Sequence, residues 1–158
     1  MTPIEAISNL PFAVALRAQS VSYIALTAIH VIGIVLMLGS VWLVDLKLIG
    51  LTGKTVDPIN AKALSQASIT WSLLGFCLII ASGSVMAFAH AATLISSQIF
   101  LVKLGLITCA ATNMIVLHSR DGLIKGDGLS KLQAALSFVL WACVIAAGQL
   151  ISARLHHP

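Results

Sequence analysis

Three stretches of the chain carry no Lys, Arg, Asp or Glu: between Arg17 and Asp45, between Lys62 and Lys103, and between Lys131 and Arg154. A helix needs about 20 apolar residues to cross the hydrocarbon of a bilayer. The first and third stretches hold one span each. The second is too long for one helix and holds one span plus most of another. The pattern therefore predicts four membrane-spanning helices, at about 20–44, 67–89, 97–118 and 132–153. Between them lie "DLKLIGLTGKTVDP", "HAATLISSQ" and "HSRDGLIKGDGLSK", polar connections punctuated by glycine and proline. Short connections make sequential helices antiparallel neighbours. The expected fold is all-α, an integral membrane four-helix up-down bundle forming one domain over residues 1–158. Gly33, Gly39, Gly75, Gly83, Gly105 and Gly148 permit the close helix approach common inside membranes. The opening "MTPIEAISNLPFAVALRAQS" has an early acid, no basic leader and only a short apolar patch. It reads as a short interfacial helix before the first span, not as a removed signal peptide.

Composition sharpens this picture. Hydrophobic residues make up 59% of the chain, charged residues 9%, and the mean hydropathy is +1.04. Soluble domains carry about 25% charged residues. The net charge of +4 suggests nucleic acid at first sight, but the basic residues are scattered around helix ends, where they usually set topology instead. The first and third connections hold Lys47, Lys54, Lys62, Arg120, Lys125 and Lys131, and the other side holds Arg17, Lys103 and Arg154. That bias places both connections in the cytoplasm and both termini in the periplasm of a bacterial inner membrane. Cys77, Cys109 and Cys143 each fall inside a span without CxxC spacing, and are expected to be small buried hydrophobes.

The candidate chemistry lies in ionisable residues within the spans, which are costly to bury unless paired or ligated. His30, His90, Lys103 and His118 qualify. Histidine is a metal ligand, and two on facing helices can hold one haem b through the iron. The first span aligns Tyr23, Thr27, His30, Gly33 and Met37 on one face; the second aligns Trp71, Gly75, Ile79, Gly83, Met86 and His90; the third aligns Ile107, Ala111, Met114 and His118. Small residues beside a histidine make room for a flat macrocycle, although ordinary helix packing yields the same stripes and explains them more readily. His30 lies near the middle of its span, while His90 and His118 lie at opposite ends of theirs. Depth favours pairing His30 with His90 over His118, the more so if the first helix continues through "LKLIG". The plainer alternatives are a hydrogen bond from His30 to Ser, Thr or Asn of another helix, and interfacial positions for His90 and His118. Lys103 can snorkel to the boundary. His156 and His157 read as solvated, and Asp45 with Lys47, and Arg120 with Asp121, as membrane-boundary charges.

"SVSYIALTAIHVIGIVLMLGSVWLVDLKLIGL" and "IFLVKLGLITCAATNMIVLHSR" together resemble a family of small, largely uncharacterised bacterial inner-membrane proteins with four helices. The resemblance rests on His30, Asp45, Lys47, Lys103, Asn113 and His118, covers most of the chain, and does not include His90. More distantly, the chain is similar to four-helix cytochromes of the b561 kind and to copper-resistance D-type membrane proteins. It lacks the two full pairs of core histidines of dihaem members, so that likeness implies one haem at most.

The leading expectation is a small b-type cytochrome that transfers electrons between quinone or a redox partner protein and the outer face, with homo-oligomers allowed. A copper carrier is the second: Met37, Met86 and Met114 share stripes with histidines, and thioethers with imidazoles suit Cu(I). The third is a non-catalytic subunit or assembly factor of a larger membrane complex. Hydrolase or transferase chemistry is not expected. No Ser/His/Asp arrangement or paired carboxylate occurs in any span, and "GLIKGDG" lacks the strand and helix context of a phosphate loop.

Overall fold

A computed structural model describes residues 10, 11, 14, 20–51 and 58–156, and helix is the only regular structure among them. The interfacial N-terminal segment falls, apart from residues 10, 11 and 14, outside the described residues, as does His157. The helices are α1 (Ser20–Ile49), α2 (Pro58–Ala89), α3 (Ala91–Ile95), α4 (Gln98–Ser119), α5 (Gly122–Lys125) and α6 (Gly128–His156). Four of them, α1, α2, α4 and α6, are long and apolar enough to cross a membrane. With 22 residues, α4 is about 33 Å long, matching the hydrocarbon thickness. The chain is thus an all-α membrane bundle.

The helices run further into the polar flanks than the charge-free stretches predict. α1 continues through "DLKLI", which moves its midpoint toward its end and leaves His30 about 7 Å on the starting side of it. α2 starts at Pro58, a residue whose fixed φ and missing N–H suit a first helical turn. α6 starts at Gly128 because Asp127 caps it: Oδ1 of Asp127 accepts from the Ser130 backbone N–H at 2.8 Å and from the Ser130 hydroxyl at 2.5 Å.

α1 packs along α2, α4 packs along α6, and α1 and α6 join the two hairpins. α2 and α4 form no extensive contact, so the bundle is open along that edge. The short α5 packs against α2, α4 and α6 and closes one end, called here the α5 end; α3 marks the other. The core is Met37, Leu38, Val41, Ala110 and Trp141, with a second cluster of Val44, Leu48, Leu117 and Ala134 nearer α5.

On α1 and α2 the small residues are consumed by direct helix contact. A Cβ on Gly75 would lie 2.6 Å from the Gly33 carbonyl oxygen, so the two backbones touch. Next to this contact Ser40 and Ser72 hydroxyls meet at 2.9 Å, and Ser68 donates to the Ser40 carbonyl at 3.0 Å. Such hydroxyl contacts substitute for the hydrophobic drive that lipid removes from helix association. Two expectations change. Trp71 points away from its predicted stripe and is exposed. Cys77, Cys109 and Cys143 are free and exposed, not buried, because the outer face of a membrane helix is as apolar as its inner face.

Candidate functional site

His30 stands on the α1–α2 seam. Its Nδ1 lies 2.9 Å from Oγ of Ser82, and Ser82 in turn donates to the Leu78 carbonyl at 2.5 Å. With the single hydroxyl proton spent on Leu78, Nδ1 carries the hydrogen and Nε2 is left as the acceptor. The ring rests on α2 where Gly83 leaves space: a Cβ there would meet His30 Cε1 at 2.9 Å. The hydrogen bond to a serine of a neighbouring helix, one of the two roles open to this residue from sequence, is present.

His90 lies beyond the end of α2, its ring edge-on to Tyr23 with centroids 5.9 Å apart, and Nδ1 faces the Met86 carbonyl at 3.4 Å. His118 lies near the end of α4 at the α5 end, where Nδ1–H donates to the Met114 carbonyl at 2.9 Å. Its Nε2 is buried without a partner.

The three histidines expected to ligate haem are kept apart. From the level of Ser82 to His90 is about 12 Å of helix, and from His30 to the level of Val44, which borders His118, about 21 Å. Two axial nitrogens on one iron lie about 4 Å apart, twice a metal–imidazole bond. Each of the three makes its own contacts instead: His30 with Ser82, His90 with Tyr23 and the Met86 carbonyl, His118 with the Met114 carbonyl. At the level of Gly33 and Gly75 the backbones of α1 and α2 touch, with no space between them. For the copper alternative, no group of three or more His, Cys, Asp or Glu side chains converges among the described residues. Met37 is buried in the core and Met114 packs against it.

Lys103 does not snorkel to the boundary. Its Nζ points across to α6, 3.3 Å from where a Cβ on Gly148 would lie. It makes no hydrogen bond or ion pair among the described residues, but it is near enough to His30 for their charges to interact.

The group that sequence reading misplaced is Asp45. It is not a boundary charge: it is 1% exposed, on the α1 face that buries Val41, Val44 and Leu48. Its register is the available signal, because Asp45 follows Leu38 and Val41 at the spacing of one helical face. Ser137 of α6 stands beside the carboxyl, yet neither Oδ2 of Asp45 nor Oγ of Ser137 finds a hydrogen-bond partner of good geometry. Trp42, one turn before Asp45, and Trp141, one turn after Ser137, also have buried indole N–H groups without acceptors. Four polar side chains with unpaired atoms thus share the α1–α6 seam.

Between α1, α2, α4 and α5 lies a cavity of about 20 Å³, lined by Val44, Ser65, Leu117, His118, Asp121 and the start of α5. That is room for one water. Asp121 holds a left-handed backbone with φ of 54°, the only described non-glycine residue with positive φ. The other boundary pair is also rearranged: Arg120 donates to Gln133 Oε1 at 2.9 Å and pairs with Asp127 at 3.3 Å. Asn113 donates to the Gln133 carbonyl at 2.9 Å, so α4 and α6 are tied by polar bonds near this end. At Asp127 the two bonds donated by Ser130, hydroxyl first and backbone second, hold the carboxyl below its ordinary range, with Arg120 and Lys125 adding to the effect.

Compared with protein-family models, with curated proteins and with solved structures, the chain matches none.

Proposed function

We propose that the chain is a proton-linked membrane protein that takes up and releases a proton at Asp45 from the α5 end. One observation carries this reading: a carboxyl 1% exposed, inside a membrane bundle, with no basic side chain bonded to it among the described residues. An uncompensated carboxylate is costly in a low-dielectric interior, and a cation relieves it. Metal ions need several oxygen or nitrogen ligands held together. No such group converges among the described residues, whereas a proton requires only the carboxyl itself.

A water-sized cavity at the α5 end supports this side of entry. Val44 lines the water-sized cavity, and the other side of that cavity is formed by His118 and Asp121. The Nε2 of His118 is buried there without a hydrogen-bond partner. Ionisable groups within spans commonly serve as proton relays. Toward the α3 end the Gly33–Gly75 contact closes the α1–α2 seam, so the reading is of proton uptake from one side, not of an open channel. The basic surplus around the α5 end supports a cytoplasmic position for it, with both termini in the periplasm of a bacterial inner membrane.

Infrared difference spectra of the purified protein in lipid nanodiscs, recorded between acid and neutral pH, test the reading. A carbonyl band of a protonated carboxyl, shifted in heavy water, is expected for the wild type and for Asp121→Asn, and is expected to be absent from Asp45→Asn. The same bands in wild type and Asp45→Asn would sink it.

A further inference from the structure

Charge is segregated along the bundle. Every acidic side chain among the described residues, Asp45, Asp121 and Asp127, lies toward the α5 end. Lys103 lies in the other half, about 7.5 Å inside the start of α4. Lysines at span ends normally reach the interface along their own helix. Here the ammonium stays at depth. Nζ stands 3.3 Å from where a Cβ on Gly148 would lie, and Gly148 is itself about 7.5 Å inside the end of the α6 span at Ala153. No hydrogen bond or ion pair reaches Lys103 among the described residues. Its helix is also the least covered of the four spans: 6% of the apolar stretch of α4 is buried, against 22% in each of the others.

We propose that a membrane-spanning helix of another protein lies along α4 and brings an Asp or Glu carboxylate to Lys103 at the level of Gly148. Charge complementarity selects the acid, because an unpaired ammonium in hydrocarbon is costly and a carboxylate relieves it with a charge-assisted hydrogen bond. Depth selects a helix as its carrier. Lipid phosphates lie at the headgroup level, whereas a side chain on a spanning helix can be placed at any depth. A second copy in the same orientation does not serve, since its described acids all lie toward the α5 end. The sparse contact between α2 and α4 leaves α4 open to such a partner. The proposal is independent of proton uptake at Asp45.

The test uses a synthetic single-span peptide of leucine and alanine with one glutamate about 7.5 Å inside one end of its apolar stretch. A second peptide carries glutamine there, and a third carries the glutamate at its centre. Association with the full-length protein is followed at neutral pH by energy transfer in phosphatidylcholine nanodiscs. The first peptide should bind at least about tenfold more tightly than the second, the scale for one desolvated charge pair, and more tightly than the third. Lys103→Met should erase that preference, while Lys131→Met keeps it. The peptide comparison on the wild type stands even if Lys103→Met fails to fold. Equal binding of the glutamate and glutamine peptides, or a preference that survives in Lys103→Met, would overturn the assignment. So would a large gain in affinity in Glu5→Gln, which would identify Glu5 of the same chain as the partner of the ammonium.

Discussion

Nδ1 of His30 lies 2.9 Å from the Ser82 hydroxyl, and the imidazole rests on α2 at Gly83. The bond fixes the ring in place, so the contact with Gly83 cannot relax by simple rotation. A methyl at position 83 would fall 2.9 Å from Cε1 and 3.3 Å from Nδ1. Gly83→Ala is therefore expected to destabilise the protein by about 1–3 kcal/mol, the usual cost of overpacking. Unfolding in mixed micelles measures it. Gly39→Ala, where a Cβ meets nothing within 4 Å, is the control and should be neutral or stabilising. In the double variant with His30→Ala the penalty should largely vanish, giving a coupling energy that a distant effect would not produce.

The α6 cap predicts a pH dependence of stability. Bonds from Ser130, and then Arg120 and Lys125, lower the Asp127 carboxyl below its ordinary range in the folded protein. A lowered value means that its contribution is fully present above the unfolded carboxylate pKa of about 3.9 and fades as pH falls through the lower folded value. Thermal unfolding against pH should show this loss on the acid side of about pH 4 in the wild type. Asp127→Asn keeps a side-chain acceptor for the cap but has no charge to titrate. It should be somewhat less stable at neutral pH, and the part of the acid loss due to this residue should be gone. An unchanged acid profile would mean that the cap is not made through the ionised carboxyl.

Asp121 joins α4 to α5 in the left-handed region, which L-residues other than Asn and Asp seldom occupy. Asp121→Gly should leave the protein at least as stable as wild type. Asp121→Ala should cost about 1 kcal/mol. Chemical unfolding ranks the two. The reverse order would exclude the left-handed turn.

The four spans were legible because charge-free stretches of sufficient length have few alternatives in an all-helical membrane chain. The helix ends were less legible: starts at Pro58 and Gly128 depend on local devices, a first-turn proline and an aspartate cap, inside stretches whose polarity reads as loop. Which way a side chain faces was hardly legible at all. Cys77 and Trp71 face outward and Met37 inward, though all three are apolar, because lipid and protein interior reward the same residue types. His30 was legible as a residue needing a partner, and Ser82 is one that α2 supplies 52 positions later. Asp45 was not, since its carboxyl is covered beside Ser137 of α6, 92 positions away in the sequence. The predicted haem pairing drew on histidine depth alone, and depth says nothing of the partner each ring finds, Ser82 for His30, Tyr23 for His90 and the Met114 carbonyl for His118.

The unpaired carboxyl on the α1–α6 seam sets function against stability. Asp45 is buried with an unsatisfied Oδ2, beside an unsatisfied Ser137 hydroxyl. Each buried polar group without a partner costs about 1–3 kcal/mol. Replacing an uncompensated buried polar group by an apolar one of similar volume is commonly neutral or stabilising. Asp45→Leu is therefore expected to be as stable as wild type or more stable by about 1 kcal/mol in chemical unfolding, while losing the infrared band of the protonated carboxyl. With Ser137→Ala added, the second gain should not be additive, because the two groups share one site. A clear loss of stability in Asp45→Leu would show instead that the carboxyl has a strong partner in the folded protein, and would remove the reason for assigning it a proton.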